Sequence, residues 1–179
     1  GLVPAGRNRR AKIMETRDVE QRAQALFESG LNCAEAVLTA VLAGQGVTDC
    51  AEATRLGTAF GAGVGRSKEE MCGALSGGLI ALGYLQGRSR GSEKWDGLAS
   101  LAAGVRGRFK ALHGCTSCSA LLARLGPQED MDKCVALSAV TAGLFHEALR
   151  NPDSVRAPAA VCGCTVRPAG QATTGSCCG

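Results

Sequence analysis

Glycine is unusually dense in one stretch of the chain, residues 59–87, which reads AFGAGVGRSKEEMCGALSGGLIALGYLQG. Its first glycines alternate with other residues: Gly61, Gly63 and Gly65. Such spacing is typical of a backbone that adopts positive φ or passes very close to a neighbour. The sequence therefore predicts a loop here, and the rest of the chain is organised around the segment directly after this loop.

A helix is predicted in that segment. Ser67 and Glu70 have the spacing of a capping box, which predicts a helix start near Lys68, or at Cys72 if that cap frays. Both starts place Cys72 close to the positive end of a helix.

The predicted helix also has one face without bulky side chains. Gly73 and Gly77 lie four residues apart with Ser76 beside them, so a second helix can pack closely against this face. Each glycine in a helix interior costs roughly 1 kcal/mol relative to alanine. We therefore expect close packing or a ligand to offset that cost.

The composition favours an all-α fold. Aromatic residues make up only 3% of the chain and glycine contributes 25 residues, which suits helices packed through small side chains. Helical periodicity with caps and breakers predicts a single compact bundle of about seven helices. The predicted helices cover residues 15–29, 33–43, 49–60, 68–86, 92–113, 118–125 and 132–150. Asn32, with Glu35 at the third helical position, is predicted to form a capping box at the second helix. Thr116 or Ser117 is predicted to cap the sixth helix, and Asp130 or Asp132 the seventh.

Three segments are expected along the chain. Residues 1–13 contain four basic residues and no acidic one, and we expect a disordered leader there. Residues 14–150 form the helical domain. Residues 151–179 contain proline, glycine and four cysteines without helical periodicity, which predicts a flexible tail.

The charge and hydropathy patterns exclude several classes of protein. The net charge of +4 is confined to the leader, so the body has no basic surface for nucleic acid. No uncharged run is long enough for a membrane span, and no signal-peptide pattern is present. We therefore expect a cytoplasmic protein that binds neither nucleic acid nor membrane.

Ten cysteines are more than packing requires. Four of them fall in the first one or two turns of predicted helices: Cys33, Cys72, Cys118 and Cys134. Free backbone N–H groups and the helix dipole stabilise a thiolate at such positions and lower its pKa. Buried cysteines can also act as small hydrophobic residues, but the shared position favours reactivity or metal ligation.

The same residues resemble a family of redox-active proteins named for a C-GCAxxG-C-C pattern. The resemblance spans residues 27–149 and includes Asn32-Cys33-Ala34, the box Cys72-Gly73-Ala74-Leu75-Ser76-Gly77, Cys118 and Cys134. It implies a small all-helical protein in which four cysteines come together for redox or metal chemistry. The chain departs from the pattern by adding Cys50, Cys115 and the tail cysteines, so the spacing leaves open whether Cys115 or Cys118 belongs to the set.

Other residues are weaker candidates. Cys115 and Cys118 form a C-x-x-C pair, and His113 precedes it as a candidate ligand. The tail supplies soft ligands for a thiophilic metal, which are Cys162, Cys164, Cys177 and Cys178. His146-Glu147 lacks the rest of a zinc-protease motif and is interpreted as a surface pair.

Three functions are compatible with these residues. The leading hypothesis is a redox protein in which Cys33, Cys72, Cys118 and Cys134 hold an iron–sulfur cluster or another thiolate-bound metal for electron transfer. The alternatives are a metal-free thiol–disulfide oxidoreductase with the same four catalytic cysteines, and a thiophilic-metal carrier that uses the tail. The redox partner protein stays unidentified, and a homo-oligomer is compatible with the sequence.

Overall fold

The computed structural model describes residues 12–155, and all structural statements below refer to these residues. It contains seven α-helices, which are α1 (Thr16–Glu28), α2 (Cys33–Gly44), α3 (Ala51–Arg55), α4 (Gly73–Gln86), α5 (Asp96–His113), α6 (Cys118–Leu125) and α7 (Asp132–Arg150). Two short 3-10 turns follow α3 and α7, at Thr58–Phe60 and Pro152–Ser154. No strand is present in this part of the chain, so the all-α prediction is confirmed.

Helix α2 is the centre of the bundle. Its residues from Ala36 to Leu42 are all buried, as expected for a sequence that is apolar nearly all round. α1, α4 and α7 pack around it. The core formed between them includes Leu38, Leu75 and Phe145, each almost completely buried.

The glycine face of α4 makes the close helix crossing that the sequence predicts. A Cβ atom at Gly77 would overlap the backbone carbonyl of Ala34 in α2, and one at Gly78 would overlap the ring of Phe145 in α7. The small residues therefore allow the backbones of α2 and α4 to meet. Gly83, by contrast, has no atom near its missing Cβ.

The predicted capping box of α4 is wrong. Ser67 does not cap a helix, because its hydroxyl hydrogen-bonds the carbonyl of Gly63 and accepts from the backbone N–H of Glu69. The helix begins at Gly73 with Cys72 as its N-cap, one residue after the alternative start predicted at Cys72. The predicted start does not form because Lys68 has a φ of 61°, a left-handed conformation that is incompatible with a right-handed α-helix.

Two other helix boundaries and one cap differ from the predictions. α3 ends at Arg55, and the segment up to Phe60 continues as a 3-10 turn. α5 begins at Asp96, four residues after the expected start. α7 covers Asp132–Arg150 as predicted, but its N-cap is Met131, with a φ of 60°, and not Asp130 or Asp132.

The bundle extends slightly beyond residue 150. Val155 is 8% exposed and belongs to the core, so packing reaches past the expected end of the helical domain. The predictions for a disordered leader and for the four tail cysteines fall almost entirely on residues 1–11 and 156–179, outside the described residues. Among the seven helices of the described part, none is long and apolar enough to cross a membrane.

Candidate functional site: a cavity lined by four cysteines

Cys33 is held at the start of α2 by the predicted capping box. The side-chain oxygen of Asn32 accepts from the backbone N–H groups of Ala34 and Glu35, at 3.0 and 3.1 Å. The Glu35 carboxylate in turn accepts from the backbone N–H of Asn32 at 2.9 Å. The box is thus confirmed, and it fixes Cys33 as the first residue of the helix.

Cys72 and Cys118 are positioned together by a short backbone pairing. The N–H of Cys72 donates to the carbonyl of Thr116 at 2.8 Å, and the N–H of Cys118 donates to the carbonyl of Glu70 at 2.7 Å. These bonds flank an isolated antiparallel bridge between Met71 and Ser117. The starts of α4 and α6 are therefore joined side by side.

Cys118 begins α6, as predicted. Ser117 is the N-cap, and its hydroxyl accepts from the N–H of Ala120 at 3.3 Å. A Cβ atom at Gly63 would lie 2.7 Å from the Cβ of Cys118, so the glycine loop passes directly over this cysteine. Glycine is required at this point by space as well as by its φ of +71°.

Cys134 lies in the first turn of α7 and is held by Gln128. The amide nitrogen of Gln128 donates to the sulfur of Cys134 at 3.3 Å, and the amide oxygen accepts from the backbone N–H of Cys134 at 3.0 Å. This glutamine bridges the loop before α7 to the helix start, and it fixes the orientation of the thiol.

The loop that covers the site is left-handed over a long run. Residues 62–66 all have positive φ, and they include the non-glycine residues Ala62, Val64 and Arg66. A left-handed residue other than glycine costs roughly 1–2 kcal/mol. Backbone bonds inside the loop offset part of this, among them Arg66 N to Gly61 O at 3.0 Å. The loop also places the N–H of Ala62 at 3.5 Å from the sulfur of Cys33.

The four helix-start cysteines line one cavity of about 250 Å³. Leucines form most of its apolar wall: Leu121, Leu122, Leu125 and Leu137. Polar groups reach it from three further residues, which are Lys68, Gln128 and Ser138. The structure therefore brings together four thiols from four separate helix starts, together with a cation, an amide and a hydroxyl.

Burial dominates the electrostatics of these thiols. It raises the pKa of Cys72 to about 12, although the N–H groups of Leu75 and Ala74 act in the opposite direction. Burial also raises the pKa of Cys33, although the N–H of Ala62 acts to lower it. It likewise raises the pKa of Cys118, although the charge of Lys68 acts to lower it. The expectation that helix starts lower the pKa of these thiols is wrong for these three residues, because desolvation outweighs the N–H groups.

The thiols are close enough to influence one another. A thiolate at Cys33 or Cys118 raises the pKa of Cys72 further, and a thiolate at Cys134 raises the pKa of Cys33 and of Cys118. Such repulsion disfavours several free thiolates in the cavity at once. A positively charged partner would remove it.

The remaining described candidates lie outside the cavity. Cys115 does not line it, although Cys118 does, so the structure separates the two halves of the C-x-x-C pair. The sulfur of Cys115 instead faces the carbonyl of His113 at 3.9 Å, and the His113 ring packs on Phe109 with ring centroids 4.6 Å apart. Cys50 is the N-cap of α3 and faces the carbonyl of Val47.

The interpretation of His146 as a surface residue is wrong. Its side chain is fully buried, and its two ring nitrogens face the carbonyl of Met14 at 2.9 Å and the amide nitrogen of Gln45 at 3.0 Å. The neutral ring satisfies both contacts, since one nitrogen donates to the carbonyl while the other accepts from the amide. Glu147 is exposed, as expected.

The donor set does not fit a single metal ion. Within residues 12–155, no three side chains among His, Cys, Asp and Glu are grouped closely enough to hold one. Tetrahedral zinc at a Zn–S distance of about 2.3 Å requires sulfurs only about 3.8 Å apart. The four cysteines instead line one cavity of about 250 Å³.

Sequence reasoning missed the polar residues of the cavity. Gln128 has no local pattern that marks it, and Lys68 lies where the sequence predicts a helix start that does not form. Ser138 had a usable signal, because it follows Cys134 by four residues and so lies on the same face of α7. The apolar wall carries no signal beyond ordinary core periodicity.

Comparison with known proteins shows the family of the chain. No curated protein and no solved structure matches the chain significantly. The family model described as "Putative redox-active protein (C_GCAxxG_C_C)" matches residues 31–148, a range that contains all four cavity cysteines. The chain therefore belongs to this family of redox-active proteins.

Proposed function

We propose that the protein transfers electrons through an iron–sulfur cluster held by Cys33, Cys72, Cys118 and Cys134. One observation carries this proposal: four thiols from distant parts of the sequence line a single cavity. Four cysteine ligands are the usual set for [2Fe–2S] and [4Fe–4S] clusters.

The size of the cavity supports a cluster over a single ion. A cluster is bound through several iron atoms, so its cysteine sulfurs lie further apart than those around one ion. The four cysteines border a cavity of about 250 Å³, which has room for a group larger than a single ion. The ring of leucines would exclude water from the bound group and thereby influence its potential.

The residues around the thiols suit negatively charged ligands. Ala62 and Gln128 direct N–H groups at the sulfurs of Cys33 and Cys134. The N-terminal ends of α2, α4, α6 and α7 all lie at the site and offer positive partial charge. When bound, the cluster would supply one-electron redox chemistry, and a redox partner protein would exchange the electron.

Metal-free thiol–disulfide exchange is the competing function. It requires an accessible thiolate with a lowered pKa. Cys72 is only 8% exposed, and burial raises the pKa of this thiol to about 12. These conditions disfavour it as a nucleophile at neutral pH, whereas a coordinated thiol is deprotonated by its metal.

The proposal is tested by measuring iron, acid-labile sulfide and the visible spectrum of protein purified without oxygen. We expect the wild-type chain to contain iron and sulfide in equal amounts. Single replacements of the four cavity cysteines by serine should each remove most of the iron. Cys50→Ser and Cys115→Ser are matched controls, because both residues lie outside the cavity, and they should retain it.

A different result would favour the metal-free function. Wild-type protein that takes up no iron and sulfide even on reconstitution would contradict the cluster. A disulfide between two cavity cysteines, mapped by mass spectrometry and reversed by a dithiol, would then identify a thiol–disulfide oxidoreductase.

A further inference from the structure

Ser138 is a buried hydroxyl without a partner. Its residue is completely buried, and its Oγ is one of only two buried side-chain polar atoms in residues 12–155 that make no hydrogen bond. Buried polar groups are nearly always hydrogen-bonded, and an unpartnered one lowers stability. The hydroxyl therefore requires an explanation.

Other buried hydroxyls in the bundle are satisfied in the ordinary way. Thr141, one turn further along α7, donates to the carbonyl of Leu137 at 2.7 Å. Ser76 in α4 donates to the carbonyl of Cys72 at 3.2 Å. Both use the carbonyl four residues earlier, which is the usual partner of a helical serine or threonine. Ser138 makes no such bond.

Ser138 lies at the cavity of the four cysteines. It lines the cavity of the four cysteines, and it lies one helical turn after Cys134 on the same face of α7. A group bound by the thiols would therefore occupy the space that this side chain borders. A hydroxyl can donate one hydrogen bond to a sulfur atom of such a group.

We propose that Ser138 donates a hydrogen bond to a sulfur of the iron–sulfur cluster and thereby tunes its reduction potential. The inference rests on the proposed function. Hydrogen bonds to the sulfurs of a cluster favour its reduced and more negative state, which raises the potential. Ser138 is a positioning and tuning residue, because the four cysteines remain the ligands.

The unpartnered hydroxyl predicts opposite effects with and without the cluster. In the apoprotein, Ser138→Ala removes a buried group that has no partner, so the melting temperature should rise by about 2–4 °C. In the loaded protein, the same change removes the hydrogen bond. The potential should then become more negative, by a shift that corresponds to about a fivefold change in the redox equilibrium constant.

Two further variants make the experiment specific. Ser138→Thr keeps the hydroxyl and should retain a potential close to that of the wild type. Ser76→Ala removes a similarly buried hydroxyl that is already bonded within the chain, so it should not raise the melting temperature of the apoprotein. Potentials are measured by anaerobic titration, and melting of the apoprotein by circular dichroism.

The possible failures are distinguishable. Wild-type protein without iron contradicts the cluster and the role of Ser138 together. A wild-type cluster combined with an unchanged potential in Ser138→Ala contradicts only the role of Ser138, and indicates that the hydroxyl bonds water in the cavity. Ser138→Thr with the potential of Ser138→Ala contradicts it as well.

Discussion

The glycine face of α4 is packed much more tightly than the surroundings of its N-terminal end. Along its glycine face, α4 meets α2 and α7 so closely that a Cβ atom at Gly77 or Gly78 would overlap its neighbour. At its N-terminal end, the starts of α2, α4, α6 and α7 leave a cavity of about 250 Å³. The close crossing fixes the relative position of Cys33 and Cys72, whereas the open end leaves room between them and the other two thiols. The tight crossing and the cavity are therefore neighbours along the same helix.

The largest expected effect on stability comes from adding one methyl group to the glycine face of α4. Gly77→Ala places a Cβ against the backbone of Ala34, which cannot move without separating α2 from α4. We expect a loss of about 2 kcal/mol in the free energy of unfolding, measured by urea denaturation.

Gly83→Ala is the matched control for that change. It lies on the same helix and has no atom near the new Cβ, so it should stabilise the protein by about 0.5–1 kcal/mol. Equal effects of the two substitutions would show that the crossing does not depend on the missing side chain at Gly77.

An intermediate effect is expected from acid, at a second tightly packed place, where α7 meets α1 and α2. Burial lowers the pKa of His146 below its ordinary value of about 6.5, so the folded state holds this ring neutral. The resulting stabilisation is complete above that value and is lost as the pH falls through the lower pKa of the folded state. The urea midpoint should therefore be lower at pH 5 than at pH 7.5.

His146→Gln should reduce this dependence on pH. Glutamine can still bond the carbonyl of Met14 but does not titrate. Burial lowers the pKa of His113 too, so a smaller slope in the same direction should remain. A slope in His146→Gln as steep as in the wild type would assign the acid sensitivity to other groups.

The smallest effect on stability is expected from adding atoms to a side chain that lines the cavity. Leu122 lines the cavity, so the larger side chain in Leu122→Phe can extend into existing space. We expect the free energy of unfolding of the apoprotein to change by less than about 1 kcal/mol. The same variant should bind less iron, because the ring takes up volume that the cluster would need. Full iron content would show that the cofactor does not occupy this part of the cavity.

The sequence determined the features that depend on neighbours along the chain. The caps at Asn32 and Ser117 use hydrogen bonds between residues two or three positions apart. Local patterns therefore predict the cap at Asn32 and give Ser117 as one of two alternatives, Thr116 or Ser117. The glycine spacing in α4 likewise predicts a close crossing, because residues four apart share a helix face. The positions of Cys33 and Cys118 as first residues of helices come from these local rules.

Features that depend on distant segments become apparent only in the folded protein. The left-handed run before Cys72 overrode the capping pattern at Ser67. Spacing could not choose between Cys115 and Cys118, because membership of the cavity depends on the pairing of Met71 with Ser117 across the fold. Burial of His146 required α1 and α2 to cover its side of α7. Desolvation of a thiol also depends on the distant segments that pack around it. For this reason the pKa shifts of the buried cysteines are opposite to those that helix starts alone would produce.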